Sequence, residues 1–302
     1  MKLLLVSSSA NKKARLLSDY FVSSGVDCVY FEKKNKFYFP KFINDFLFNK
    51  KINKISQERK VVGFGSVLNT DLLFVKSGVK SNNEFIKSSK KIAVVSKAQK
   101  QKFVAKEIKK EDEIAYFYPF FSRACDGAVQ NNDKKIISTY IENPKKSGID
   151  EFLKIINSLE NKNCEVVIGC KEILQVQLEF YVINIKNIKI KIEPIKNENS
   201  LCELFLRSDI CIFPLQNTSF EDFVVDAMYS KNAVFVPVSN DSCEILDFFA
   251  TISANDDAQI GYKISALLNN DEELENIKTE NYEIAQGFSI EKTAEKIKRV
   301  LF

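Results

Sequence analysis

Apolar residues recur along this chain in short runs separated by stretches with helical spacing. Lys2–Ser8 reads as a buried strand. Asn11–Ser24 then places Ala14, Leu17, Phe21 and Val22 on one side of a helix, and Val26–Phe31 supplies a second strand. Further runs at Val61–Phe64, Asp71–Val75, Ile92–Val95 and Ile114–Tyr118 continue the alternation. In the second half, Lys134–Ile141 predicts a strand, Asn143–Ser147 a polar turn, and Ile149–Leu159 a helix. Strands at Cys164–Ile168 and Ile188–Ile192 follow, then a helix from about Ser200 and a strand at Asp209–Phe213. Ile290, Ala294, Ile297 and Leu301 give the C-terminal segment one apolar helical face. Strands alternating with helices predict an α/β fold built on parallel sheets.

Length and charge turn that pattern into a domain expectation. A chain of 302 residues with 45% hydrophobic content is long enough for two cores. The net charge is +13 from Met1 to Asn132 and −9 from Asp133 to Phe302. We expect an N-terminal Rossmann-like domain over 1–130, a C-terminal one over 131–285, and a terminal helix at 286–302 crossing back to the first domain. The break falls near Asp126–Asp133. The basic first half favours anionic surfaces or acceptors. Nucleic-acid binding is disfavoured, because its lysines are dispersed and no recognised module appears.

Chemistry narrows by exclusion. The chain has no histidine, which removes histidine triads and histidine metal sites, and its cysteines lack paired zinc spacing. Cys28, Cys125, Cys164, Cys170, Cys202, Cys211 and Cys243 are scattered through mostly apolar runs and read as reduced core residues. The apolar start, Leu3–Val6, is too short for a secretory leader, and no run approaches a membrane span, so the expected location is the cytoplasm. No Asp-x-Asp occurs, and the expectation is metal-independent chemistry with no cofactor.

Ser208–Pro237 reads as a buried strand, a polar loop, a helix and a second buried strand, with Asn217, Thr218 and Ser219 at the mouth of the sheet. Strand carboxyl ends facing helix amino ends are where open α/β sheets bind anionic ligands. Pro214, Phe220 and the run Asp226-Ala227-Met228 make this segment resemble the GT-B glycosyltransferases of the retaining family 4 type. That resemblance implies two Rossmann-like domains in a GT-B arrangement with an interdomain cleft. It implies a glycosyltransferase moving sugar from a nucleotide-sugar co-substrate to a glycan or lipid-linked acceptor. Thr218 occupies the place of the family's first acid and Glu221 that of a glycine. Asp226 takes the place of the acid that holds the ribose, and Lys145 or Lys146, before Gly148, that of the lysine on the diphosphate. The family's arginine falls near Ile141 or Glu142, where this chain has none.

The residues also admit plainer roles. Thr218 fits a helix cap, Lys146 a solvated turn, Asp226 an exposed helix acid, and Gly169 either a strand-ending turn or the nucleotide crevice. Asn232 fits the left-handed residue that ends a helix. On the acceptor side, Ser7, Ser8, Ser9 and Asn11 end the first strand, and Ser96 follows a later one, where capping is the simpler role. Gly63–Ser66 lacks the third glycine and the acid of a dinucleotide fingerprint. Six aromatics from Phe37 to Phe48 interleave with lysines from Lys33 to Lys51. They fit either a buried helical hairpin or a peripheral contact with the inner face of a membrane. The alternative function is a non-catalytic GT-B-like protein that binds a glycan, a nucleotide or a transferase partner.

Overall fold

A computed structural model describes residues 1–7, 11–33, 48, 50–52, 56, 59–64, 67, 70–75, 84–122, 125, 127–128, 133–143, 148–161, 163–183, 185, 188–214, 220–246, 251–252 and 257–302. The chain divides into two compact units, Met1–Tyr118 with Ile290–Phe302, and Pro119–Ser289.

The first unit is an alternation of β1 (Lys2–Ser7), α1 (Lys12–Ser23), β2 (Asp27–Glu32), β3 (Lys60–Phe64), β4 (Leu72–Phe74), α2 (Glu84–Ser88), β5 (Lys91–Val94), α3 (Lys97–Ala105) and β6 (Ile114–Tyr116). The strands form one parallel sheet in the order β2-β1-β3-β4-β5-β6. Leu3 to Val6 are all fully buried, as expected of a strand covered on both faces. Leu4, Val6, Val61, Leu73, Ile92 and Val94 meet Ile86 and Phe103 from the helices to make the core.

The second unit contains β7 (Lys135–Ile141), α4 (Ile149–Asn157), β8 (Cys164–Cys170), α5 (Gln175–Val182), β9 (Ile190–Pro194), α6 (Glu198–Leu206), β10 (Ile210–Ile212), α7 (Asp222–Tyr229), β11 (Ala233–Pro237), β12 (Thr251–Ile252), α8 (Asp257–Leu268) and α9 (Asp271–Gln286). Its parallel sheet runs β12-β11-β10-β7-β8-β9. Phe152, Ile155 and Ile156 of α4 and Ile260, Ile264 and Leu267 of α8 pack on Ile137, Val166, Ile210 and Ile212 of the strands. The last helix, α10 (Ile290–Leu301), belongs to the first unit, where the Lys91 ammonium donates to the Val300 carbonyl at 2.8 Å.

Three features differ from the sequence expectations. Segment 119–122, assigned there to the first half, packs with the second unit: Phe121 stacks on Tyr229 with centroids 3.6 Å apart, and its amide donates to the Phe288 carbonyl. Cys125 and Cys202 are joined in a disulfide rather than reduced, across a sequence separation of 77 residues that no spacing rule detects. The five other cysteines are free. Finally, Lys231, not Asn232, takes the left-handed conformation after α7, with φ of 58°. Asn232 is buried instead, and its side-chain amide ties two carbonyls.

Candidate functional site

In the second sheet the chain leaves β7 toward β8 and β9 on one side, then returns to build β10, β11 and β12 on the other. The reversal falls between β7 and β10, whose carboxyl ends are the position at which open α/β sheets form a ligand crevice. The described ends of the connections after these strands, Glu142, Asn143 and Gly148 after β7 and Phe213, Pro214, Phe220 and Glu221 after β10, lie on that side of the sheet. Gly148 precedes α4 with φ of 68°, and a Cβ built on it would lie 2.2 Å from the Pro214 carbonyl oxygen. Only glycine allows the two loops to approach this closely.

Helix α7 starts at the crevice, with Glu221 at its N-cap in an extended conformation. The Glu221 amide donates to Ser242 Oγ at 3.3 Å, and Ser242 is itself buried in the short turn Asp241–Ile245. The Glu221 carboxyl makes no capping bond to its helix. Burial, then the neighbouring carboxylates of Asp222 and Glu142, push its pKa up to about 7. Lys171 pairs with Glu142 at 3.5 Å. Behind the crevice the Tyr140 ring meets Phe223 edge-on at 5.7 Å, and burial pushes the Tyr140 phenol up to about 12.

Asp226 is one turn further along α7 and is buried rather than exposed. Its Oδ1 accepts the Ser122 backbone amide at 2.7 Å, a short charge-assisted bond. With the Phe121–Tyr229 stack, this bond fixes the segment entering the second unit against α7. Gly169 lies inside β8 rather than after it. A Cβ there would stand 2.7 Å from Leu204 Cδ2 and 3.1 Å from Ile195 Cγ1, so the missing side chain makes room for α6.

In the first unit, Ser7 is buried as the last residue of β1. Asn11 caps α1 by accepting the Ala14 amide at 3.0 Å, and buried Ser96 caps α3 by accepting that of Gln99 at 2.9 Å. Ser8, Ser9, Lys145, Lys146, Asn217, Thr218 and Ser219 lie outside the described residues, as does most of the aromatic-basic segment from Lys34 to Phe46. The sequence therefore pointed to the loops on both sides of the crevice. It missed Ser122 as the partner of Asp226, and Gly148 as the contact between the loops. Glycine directly before a helix was the available signal for the second.

The fold has clear relatives among solved structures. A glycosyltransferase from Rickettsia africae superimposes with a TM-score of 0.79 at 15% identity, over 99% of this chain and 97% of that one. WaaG, a glycosyltransferase involved in lipopolysaccharide biosynthesis, gives 0.71 at 10% identity over 99% of both. HepE from Anabaena, solved in complex with UDP, gives 0.72 at 10% over 100% of this chain and 99% of its own. The chain has the fold of the GT-B glycosyltransferases. No protein-family profile matches it, and no curated protein does. At these identities the likeness carries the architecture, and the chemistry of the crevice must be argued from its own residues.

Proposed function

We propose that the protein is a glycosyltransferase that moves a sugar from a nucleotide diphosphate to a glycan or lipid-linked acceptor. The reaction proceeds without a metal of its own and with retention at the anomeric carbon. The observation that carries this reading is the likeness of essentially the whole chain to glycosyltransferases, one of them solved with UDP and with UDP-glucose. On this reading the donor lies at the second unit's sheet reversal, where Gly148 approaches the Pro214 carbonyl closely.

On this reading the departing diphosphate requires cations and backbone donors as charge builds on it. Lys145 and Lys146 supply the cations, with Lys146 assigned the catalytic contact, and Asn217, Thr218 and Ser219 line the sugar and phosphates. Asp226 serves by position, because its carboxylate holds Ser122 and so fixes the α7 wall. Ser7, Ser8 and Ser9 face the acceptor, whereas the side chains of Asn11 and Ser96 are engaged as helix caps. Gly169 contributes space for α6. No helix among the described residues is long and apolar enough to cross a membrane. A cytoplasmic protein touching the inner membrane face through its basic aromatic segment fits a lipid-linked acceptor.

A second reading, a non-catalytic protein that binds a glycan, a nucleotide or a transferase partner, is favoured by what the chain lacks at the family's places: it has no histidine, Thr218 stands for the first acid and Glu221 for a glycine. The test is titration with UDP-, GDP-, ADP- and CMP-sugars by calorimetry, with nucleotide release as the assay of turnover, for the wild type and Lys146→Ala. Saturable binding with turnover that falls in the variant supports the transferase. Binding without turnover, for any acceptor offered, favours the second reading, and no binding across the panel removes both nucleotide readings.

A further inference from the structure

We propose that the outer face of α5 is the contact through which two copies of this chain pair, their α5 helices lying side by side and parallel about a two-fold axis. This surface shares no residue with the donor crevice, so the pairing does not depend on the donor reading.

Helix α5 is apolar on two opposite sides. Leu178 is fully buried, and Leu174, Val182 and Ile185 join it against the core of the second unit. Ile173, Val176, Phe180 and Ile183 form a row on the other side and are between 65% and 89% exposed. Leu174, Gln175 and Ile183 have right-handed helical backbone, so the short turn before α5 and the residue that caps it extend the row at both ends. Scattered exposed apolar residues need no explanation, but four in one row mark a surface that meets a partner.

Spacing, area and charge select a second copy as that partner. Intervals of three, four and three residues are those of the a and d positions of a coiled coil, by which one helix packs along another. The four side chains present roughly 500 Å² of apolar surface, which is about the apolar share of the ~800 Å² that each subunit gives to a homodimer interface of standard size. In that register Glu172 and Glu179 line one flank of the row and Gln177 the other, with Glu179 Oε1 accepting from Gln175 Nε2 at 3.1 Å. An antiparallel pair sets the two Glu179 carboxylates against each other across the axis, whereas a parallel pair sets each Glu172 against the uncharged Gln177 of the second copy. Lipid fits less well: α5 reads QVQLEFYV and holds no lysine or arginine, the residues with which an interfacial helix grips anionic headgroups.

The test is sedimentation velocity of the full chain from micromolar to submillimolar concentration, for the wild type, Phe180→Glu and Gln177→Lys. The wild type should pass from monomer to dimer. Phe180→Glu should stay monomeric with an unchanged melting temperature, because the position is exposed in the single chain. Gln177→Lys should tighten the dimer about three- to tenfold, because a parallel pair brings the new lysine to Glu172 twice. A wild type that stays monomeric, or a dimer that Phe180→Glu leaves intact, overturns the pairing. A Gln177→Lys dimer that is unchanged or weaker overturns the parallel arrangement, since an antiparallel pair brings the two lysines together. The same proteins are mixed with vesicles of phosphatidylglycerol and phosphatidylcholine. Binding that Phe180→Glu abolishes, from a wild type that forms no dimer, assigns the row to lipid and overturns the pairing.

Discussion

Asn232 offers a direct test of how the second unit holds its crevice helix in place. Its side-chain amide donates to the carbonyls of Phe205 and Ala227, each at 2.9 Å, and its own carbonyl accepts the Asn281 side-chain amide at 3.0 Å. One buried residue therefore ties the ends of α6 and α7 to β11 and α9. Replacing it with alanine deletes the two side-chain bonds and leaves the space of an amide. Neither carbonyl is orphaned, because Phe205 also accepts the Ser208 amide and Ala227 the Asn232 amide. Two net hydrogen bonds at about 1 kcal/mol each, plus a small cavity, give a loss of about 2–4 kcal/mol.

For a unit of this size the loss corresponds to a fall of roughly 10 °C in the transition that includes it, read by scanning calorimetry of the full chain. Asn232→Asp is the sharper variant, because it keeps the volume and turns a donor into an oxygen facing two carbonyls. Its carboxyl must stay protonated to fit, so its folded pKa rises above the unfolded value. Its stability is then present at low pH and lost as pH rises through the folded pKa. At pH 8 it should be less stable than the alanine variant, and at pH 5 the difference should shrink. An alanine loss below about 1 kcal/mol, or an aspartate variant no worse than alanine at pH 8, refutes the assignment of Asn232 as the tie.

Three further outcomes follow from the same unit. Cys125 and Cys202 close a 77-residue separation, so Cys125→Ser should cost about 4 kcal/mol by loop entropy; intact-protein mass 2 Da below the fully reduced value, by about one disulfide's hydrogens, checks that the bond is present. Glu221→Gln should stabilise the fold at pH 8 by about 1–3 kcal/mol after allowance for partial exposure, and have little effect at pH 4. The sign follows because the raised carboxyl, near pH 7, gives stability that is full below its unfolded pKa and lost as pH rises through the folded one; pH-dependent urea titration reads it. Gly148→Ala combines a left-handed φ with a Cβ 2.2 Å from the Pro214 oxygen, so it should lower the melting temperature and weaken any nucleotide-sugar affinity together; an unchanged melting temperature would show that the loops do not need the contact.

Strands were the most legible part of the sequence, because parallel strands buried on both faces are written as continuous apolar runs. Leu3–Val6, Val61–Phe64 and Ala233–Pro237 are cases of this. Helix α5 was missed for the converse reason: in QVQLEFYV only Leu178 is buried, while Val176 and Phe180 are exposed, so its apolar residues trace no single face. Helices α8 and α9 went unassigned, although Ile260, Ile264 and Leu267 carry the helical period. The Cys125–Cys202 bond and the Asn232 ties join residues far apart in sequence, and nothing local records such contacts.

The crevice was legible in its position and not in its chemistry. Element order alone puts the loops after β7 and β10 at the reversal of the sheet, because a chain that builds outward on one side must cross back to build on the other. What each side chain does there depends on its partners. Asp226 occupies a ribose-binding place by sequence, yet its carboxylate secures the Ser122 amide. Glu221 occupies a glycine's place and is pushed by burial to a pKa of about 7. One place can thus carry a second task that its position in the sequence does not record: whatever ligand Asp226 holds, its Oδ1 also ties the segment at Ser122 to α7.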